Sequence, residues 1–532
     1  HSGGTNRKCR FFHVQLTYKG RLIPCAYVST PTELRMESDF GSVKFCFPEP
    51  HVLCFKSEGE VGLRIWGPMG PQHESCRDML DGTWQICWAG MNNWLFVPIS
   101  GKFHMDSPYD YVGTQSKYVC ADWESENGEP FEAVIEESEM YMRRRESYPT
   151  YEDGLAASTA AFQSFLDDTC PANPLVDEKF RVLSAWITWV HLVYPEKNTK
   201  YEYHMFRSQQ ECLPFAMAWH QYYHACTFRK DKAFAWSLMK SLFAHTREDG
   251  QLPDSVTDYL VKYQHCKPPI HGFTFLWLMD HSDVFEGEEE NVAWLVERLE
   301  KSLAWWTDTH DLDHNGIPEY THSDESGLDD SSIFKEPPVE SPDLMAYLIL
   351  GFEASARMRT ILGQQEAADA NMAKAKALLD YLVNNMWDGE KFFARSARSG
   401  KAIDSWSVMI YFPTILGDRL PEHIHAIRKL LGSGIAVFIR HQIIALDVSR
   451  VLIRSSALDI DLKLRAGFGN LHAIRIGVMI AAAKDFLNDP TRDKLMKIHE
   501  VERSLTGEVK EEYEEWCEEH EDEILKAILT EK

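Results

Sequence analysis

The sequence predicts an α+β chain in two parts, an antiparallel β-sandwich followed by a closed (α/α)6 toroid. Short apolar or aromatic runs broken by Gly, Pro, Asn and Asp fill residues 10–145, the pattern of antiparallel strands and turns. From about residue 153 the apolar spacing changes to three and four, the helical period. No sequence repeat recurs at a fixed period, which favours a closed ring of paired helices over an extended helical solenoid. The expected boundaries are a sandwich over 1–145, a linker at 146–153, the toroid over 154–511 and an acidic tail over 512–532.

Phe11–Tyr18, the Lys19-Gly20 turn and Leu22–Val28 open the expected sandwich. Val43–Phe47, Val61–Trp66, Gly82–Trp88 and Trp94–Ile99 follow as strands, and Tyr148-Pro149 marks a helix start. Helical spacing then recurs at 180–190, 213–228, 232–245, 269–281, 291–308, 342–361, 364–386 and 421–431. Residues 434–480 hold neither Trp nor Tyr, so they offer no Trp or Tyr platform. The segment from Glu508 to Lys532 carries 11 acids against 3 bases and reads as a solvated helix.

Composition narrows the function. With 55 Lys+Arg against 81 Asp+Glu, the net charge of −26 argues against a nucleic-acid or anionic-membrane partner. No apolar run reaches the roughly 18–20 residues a bilayer span needs. The 12 cysteines form no CxxC pair and no zinc spacing, so free thiols and a cytoplasmic location are expected. No H-E-x-x-H, G-x-G-x-x-G, Walker or G-x-S-x-G pattern occurs.

The densest polar cluster runs from Thr309 to Ser332. Asp311-x-Asp313-x-Asn315-Gly316 spaces hard oxygen ligands two apart around a Gly turn. A carbonyl near Ile317 and the Glu319 carboxylate would complete a calcium shell. The plainer alternative is an Asx turn with no ion. Further on, Glu325-Ser326-Gly327-Leu328-Asp329-Asp330 crowds carboxylates beside a Gly. Mutual repulsion raises the pKa of one member of such a group, leaving a proton to give to a leaving oxygen. An acidic turn capping the next helix is the alternative.

The order of these segments resembles the catalytic region of α/α-toroid glycosidases of family 63, related to the trehalase-type enzymes. The resemblance rests on Asp311–Tyr320 followed by Glu325-Ser326-Gly327-Leu328-Asp329-Asp330-Ser331-Ser332. Asp249-Gly250-Gln251-Leu252-Pro253-Asp254, Lys267-Pro268-Pro269-Ile270 and Leu416–Pro421 support it in the family's order, so it spans about 180–430. It implies Asp329 as general acid. Glu325, Gly327 and Asp330 would shape the sugar subsite. Glu500, in His499-Glu500-x-x-x-x-Leu505-Thr506-Gly507, would be the base, with Glu502 as its competitor. The implied activity is exo-acting, inverting hydrolysis of an α-glucoside-type bond in a small carbohydrate, with no cofactor required for the chemistry and calcium only as a structural ion.

Three departures stand out. His220, in Trp219-His220-Gln221, occupies the position of an Asp that holds sugar hydroxyls in the family, the Trp-rich segment before the base loop is missing, and the tail after Gly507 lacks the family's aromatic strand-like close. A catalytically impaired glycan-binding protein on the same fold is therefore the alternative. Trp219, His220, Gln221 and Lys267 are the expected substrate contacts. Arg207 and the indoles of Trp277, Trp305, Trp306 and Trp406 are lesser candidates.

Overall fold

Alternating side chains between residues 13 and 138 build two antiparallel sheets. This computed structural model describes residues 12–424, apart from 70–73, 89–92, 173–176, 208–214 and positions 127, 139, 198, 330, 404 and 406. The smaller sheet orders its strands Lys102–Asp106, Tyr118–Glu124, Gly62–Pro68, His13–Tyr18 and Arg21–Leu22. The larger runs Ala26–Ser29, Leu34–Ser38, Gly41–Glu49, Val52–Gly59, Glu132–Ser138, Asn93–Ser100, Trp84–Cys87 and Ser75–Asp78. Leu16, Leu63 and Trp123 of the smaller sheet share one core with Phe45, Phe55, Phe96 and Ile135 of the larger. Trp123 centres it, edge-on to Phe55 at 5.0 Å and stacked on Phe96 at 5.8 Å.

The larger sheet is apolar on both faces. Cys46, Cys54, Leu95, Val97 and Val134, each next in sequence to a core residue, point the other way. They are covered by helix α1 (Tyr151–Thr169) through Tyr151 and Leu155. Gly154 permits the contact, because a Cβ there would lie 3.2 Å from Pro48 Cβ and 3.5 Å from Cys46 Sγ. Thr150 caps α1 by accepting the Asp153 N–H at 3.1 Å. Helix α2 (Glu178–His191) joins α1 through Phe162, Leu166 and Ala185. Both helices share a compact unit with the sheets that runs to His191, whereas the sequence expectation ended the sandwich at 145. The Val52–Gly59 and Glu132–Ser138 strands were not singled out from sequence. Burial on both faces removes the alternation that marks a half-buried strand.

The second unit contains α3 (Ala218–Thr227), α4 (Lys232–Phe243), α5 (His271–His281), α6 (Glu289–Thr309), α7 (Pro342–Ile361) and α8 (Gln365–Asn385). Helices α3, α5 and α7 neighbour one another in series, while α4, α6 and α8 pack behind them. That is two layers of helices, one against the other. Of the 20 residues of α7, 15 are buried, so it is apolar all round. Helices α5 and α7 meet backbone to backbone: a Cβ on Gly272 would lie 2.4 Å from the Gly351 nitrogen. A Cβ on Gly351 would in turn strike Leu303 of α6 at 2.6 Å. A 3-10 segment at Val408–Arg419, not expected from sequence, follows α8. The expected helix at 421–431 runs beyond the described residues.

Candidate active site

The loops at 244–270 and 310–341 precede α5 and α7, and Met217 precedes α3, so one end of the inner layer gathers the polar segments. Glu325 organises the second loop. It is 4% exposed and accepts the Thr321 N–H at 2.6 Å, the Thr321 hydroxyl at 2.9 Å and the His322 N–H at 3.2 Å. His310 Nε2 lies 3.2 Å from its Oε1. Burial pushes this carboxyl up, but the His310 and Thr321 hydrogen bonds outweigh burial and hold it below its ordinary value. A saturated, ionised Glu325 shapes the turn from beneath and leaves no oxygen for a sugar.

The turn it supports carries Gly327 and Asp329. Gly327 takes φ +72°, and a Cβ there would lie 2.8 Å from Trp219 Nε1. The turn therefore rests directly on the half-buried Trp219 indole. Beyond it, Ser331 Oγ donates to Ser407 Oγ at 2.6 Å and Ser332 pairs with Ser405 at 2.7 Å. Asp329, fixed between these anchors, is exposed to solvent. Asp330, Glu500, Glu502 and Trp406 lie outside the described residues.

The other expected contacts divide. Lys267 Nζ donates to the Asp324 carbonyl at 2.6 Å and lies 3.1 Å from Asp254, binding the 254–267 loop to the 323–329 turn. Gln221 is fully buried, and its amide is consumed. It accepts the Phe206 N–H at 2.8 Å and donates to the Phe206 and Met217 carbonyls at 2.7 and 2.9 Å. The expectation of a substrate contact at Gln221 is corrected accordingly, since backbone partners use both ends of its amide. His220 is 8% exposed, and its carbonyl is within 2.7 Å of His224 Nδ1. Arg207 is bridged to Ala216 beside α3, and its buried Nε has no hydrogen-bond partner among the described residues. Trp305 and Trp306 are buried against His310, each with ring centroids 4.6 Å from it, so they buttress the loop and are no sugar platform. Trp277 sits in the C-terminal half of α5, stacked on His281, away from the polar end.

Ahead of this turn, the carboxylates of Asp311, Asp313 and Glu319 bring one oxygen each within 4.8 Å of one another. Gly316 N–H donates to Asp311 at 3.0 Å and Leu312 N–H to Glu319 at 2.9 Å, which curls the loop around them. Asp311 Oδ1 and Glu319 Oε1 are buried without a hydrogen-bond partner among the described residues. Burial and the two neighbouring aspartates push Glu319 up to about 7. Three hard oxygens with two unused lone-pair positions fit a calcium ion. Asn315 takes a different part from the one expected. Its oxygen accepts the Ile317 N–H at 2.8 Å, while its amide donates to Asp313 at 3.1 Å and Glu340 at 2.8 Å. Sequence reasoning missed Glu340 and His310. His310 opens the polar cluster and was visible there, whereas nothing local marks Glu340, 25 residues after Asn315.

Residues 213–438 match the family described as the mannosylglycerate hydrolase MGH1-like glycoside hydrolase domain. Among solved structures, the chain is similar to the family GH63 mannosylglycerate hydrolase of Thermus thermophilus. Identity is 14% over 42% of this chain and 72% of that one, with a TM-score of 0.37. It is also similar to a family GH92 α-mannosidase of Bacteroides thetaiotaomicron, at 11% identity over 74% of this chain and 57% of that one, with a TM-score of 0.50. A bacterial glucoamylase matches at 9% identity over 70% and 61%, with a TM-score of 0.47. No curated protein sequence matches. Residues 213–438 are thus similar to a glycoside hydrolase domain, and the fold of the chain is similar to that of the α-mannosidase neighbour.

Proposed function

We propose that the chain is an exo-acting, inverting α-glycosidase with Asp329 as the general acid and Glu500 as the base. The observation that carries this reading is Asp329 itself: solvent-facing, on a turn pinned at both sides and seated on an indole. In that position a carboxylic acid can reach the oxygen of a glycosidic bond while Trp219 covers an apolar sugar face. Inversion needs a second carboxylate roughly 6.5–9.5 Å away, with a water between, and Glu500 is assigned that part by its sequence context.

The substrate is a small glycoside. Relatives named as a mannosylglycerate hydrolase and an α-mannosidase put α-mannosides of small organic acids beside α-glucosides. Asp311, Asp313 and Glu319 would hold a calcium ion, which when bound neutralises their mutual repulsion and stiffens the loop leading to the acid. The ion takes no part in the bond cleavage.

The test is a screen of α-linked aryl glycosides, disaccharides and glycosyl-glycerates, with NMR of the first anomer released. Asp329→Asn and Glu500→Gln are each expected to abolish turnover while the fold persists, and a β-anomer should appear first from an α-glycoside. Retention of configuration would overturn the roles. His220 at a position held by an Asp in the resembling family favours a second reading, a glycan-binding protein without turnover. That reading requires sugar affinity that survives Asp329→Asn and no product in any screen.

A further inference from the structure

We propose that His265, His322 and Asp324 form a binding site for a zinc-like transition-metal ion, separate from the carboxylate loop. His265 Nε2 lies 3.3 Å and His322 Nδ1 3.8 Å from the same oxygen, Asp324 Oδ2. One donor atom from each residue lies within 4.8 Å of the others. Zinc bonds of about 2.0–2.1 Å place tetrahedral donors about 3.3 Å apart, so the cluster is within a small side-chain movement of a coordination shell. The two imidazoles face each other at 4.9 Å and 23°. Convergence of the lone pairs requires the exposed His322 ring to turn and release the Asp324 N–H from its Nδ1.

Donor chemistry selects the ion. Two imidazole nitrogens and one carboxylate suit Zn2+, Ni2+ or Cu2+, whereas calcium and magnesium seek all-oxygen shells. The Asp324 N–H donates to His322 Nδ1 at 3.2 Å, which marks that nitrogen as unprotonated, and a bound ion would take its lone pair in place of the N–H. The side chains are 29%, 57% and 40% exposed for His265, His322 and Asp324, leaving access for the ion and a water in the remaining position. Two separate loops supply the ligands, and His265 is two residues from Lys267, whose ammonium already holds the Asp324 carbonyl. A bound ion would therefore add a second fastening between the 254–267 loop and the turn that ends in Asp329.

Calorimetric titration of the metal-stripped full chain with ZnCl2 tests the site, with Co2+ visible absorption as the ligand-field signature. One saturable ion per chain is expected, weakened about tenfold or more by His265→Gln, His322→Gln or Asp324→Asn. Asp311→Asn should leave zinc affinity unchanged, because that residue belongs to the oxygen-only loop. The three substituted side chains are partly exposed, and circular dichroism confirms the fold of each variant. Zinc binding that is unchanged in all three variants, or no saturable binding below about 100 μM, a weak −5 to −6 kcal/mol, would overturn the proposal. The readout is metal binding, so its failure is distinct from failure of the glycosidase reading.

Discussion

Gly327→Ala probes the link between the indole platform and the proposed acid. The new methyl would start 2.8 Å from Trp219 Nε1, 2.9 Å from Cζ2 and 3.0 Å from Cε2, where carbon contacts settle near 3.5–4.0 Å. The turn or the indole must therefore yield by roughly 0.5–1 Å. The φ of +72° adds about 1–2 kcal/mol for a residue with a Cβ, and overpacking adds about 1–3 kcal/mol. Ser331–Ser407 and Ser332–Ser405 hold the far side of the turn, so the displacement falls on Leu328 and Asp329. A misplacement near 1 Å costs on the order of 10²-fold in rate. We expect kcat on the best glycoside of the screen to fall by about that factor, with KM changed far less. The melting temperature should drop by a few degrees. Steady-state kinetics with calorimetric melting reads both, and a variant with kcat and melting temperature both matching the parent refutes the reasoning.

Three further outcomes follow from the same geometry. Gly272→Ala forces a methyl to within 2.4 Å of the Gly351 nitrogen, so urea denaturation should show a loss of at least about 1–3 kcal/mol. Chelation by EDTA should lower the melting temperature and calcium restore it, by about 2.7 kcal/mol at a hundredfold excess over Kd. Asp311→Asn should erase that response while Asp329→Asn keeps it. His271 is buried among Tyr222, Phe243 and Phe275, and burial lowers its pKa from 6.5 to about 3. The folded chain therefore refuses a proton that the unfolded chain accepts below 6.5, and stability drains as pH falls from there toward 3. His271→Phe should flatten that slope in denaturation curves compared across pH, and identical slopes would contradict it.

Local patterning carried much of the architecture. The shift from runs broken by turn residues to three-and-four spacing placed the helices α2 to α8 within a few residues, because each buries a stripe or a full circumference in apolar neighbours. It failed where tertiary packing writes the pattern. Strands buried on both faces lose their alternation, and the 3-10 run at Val408–Arg419, which contains Pro413 and breaks at Gly417, has no period to read. In the site, the Gly327–Asp329 turn and the carboxylate loop were legible as short motifs. Which side chains are already spent was not. Gln221 and Glu325 look like free polar groups in sequence, yet backbone donors and acceptors saturate them, and partners such as His310, Ser405 and Ser407 come from other elements.

The glycine crossing of α5 and α7 bears on how such a chain can change its substrate. With main chains in contact and Leu303 wedged behind, the α5–α7 crossing has no slack for a larger residue at positions 272 and 351. Variation is channelled to the 244–270 and 310–341 loops, which leave the helix framework intact when they are altered. Libraries aimed at new glycosides belong in those two loops, with positions 272 and 351 held constant.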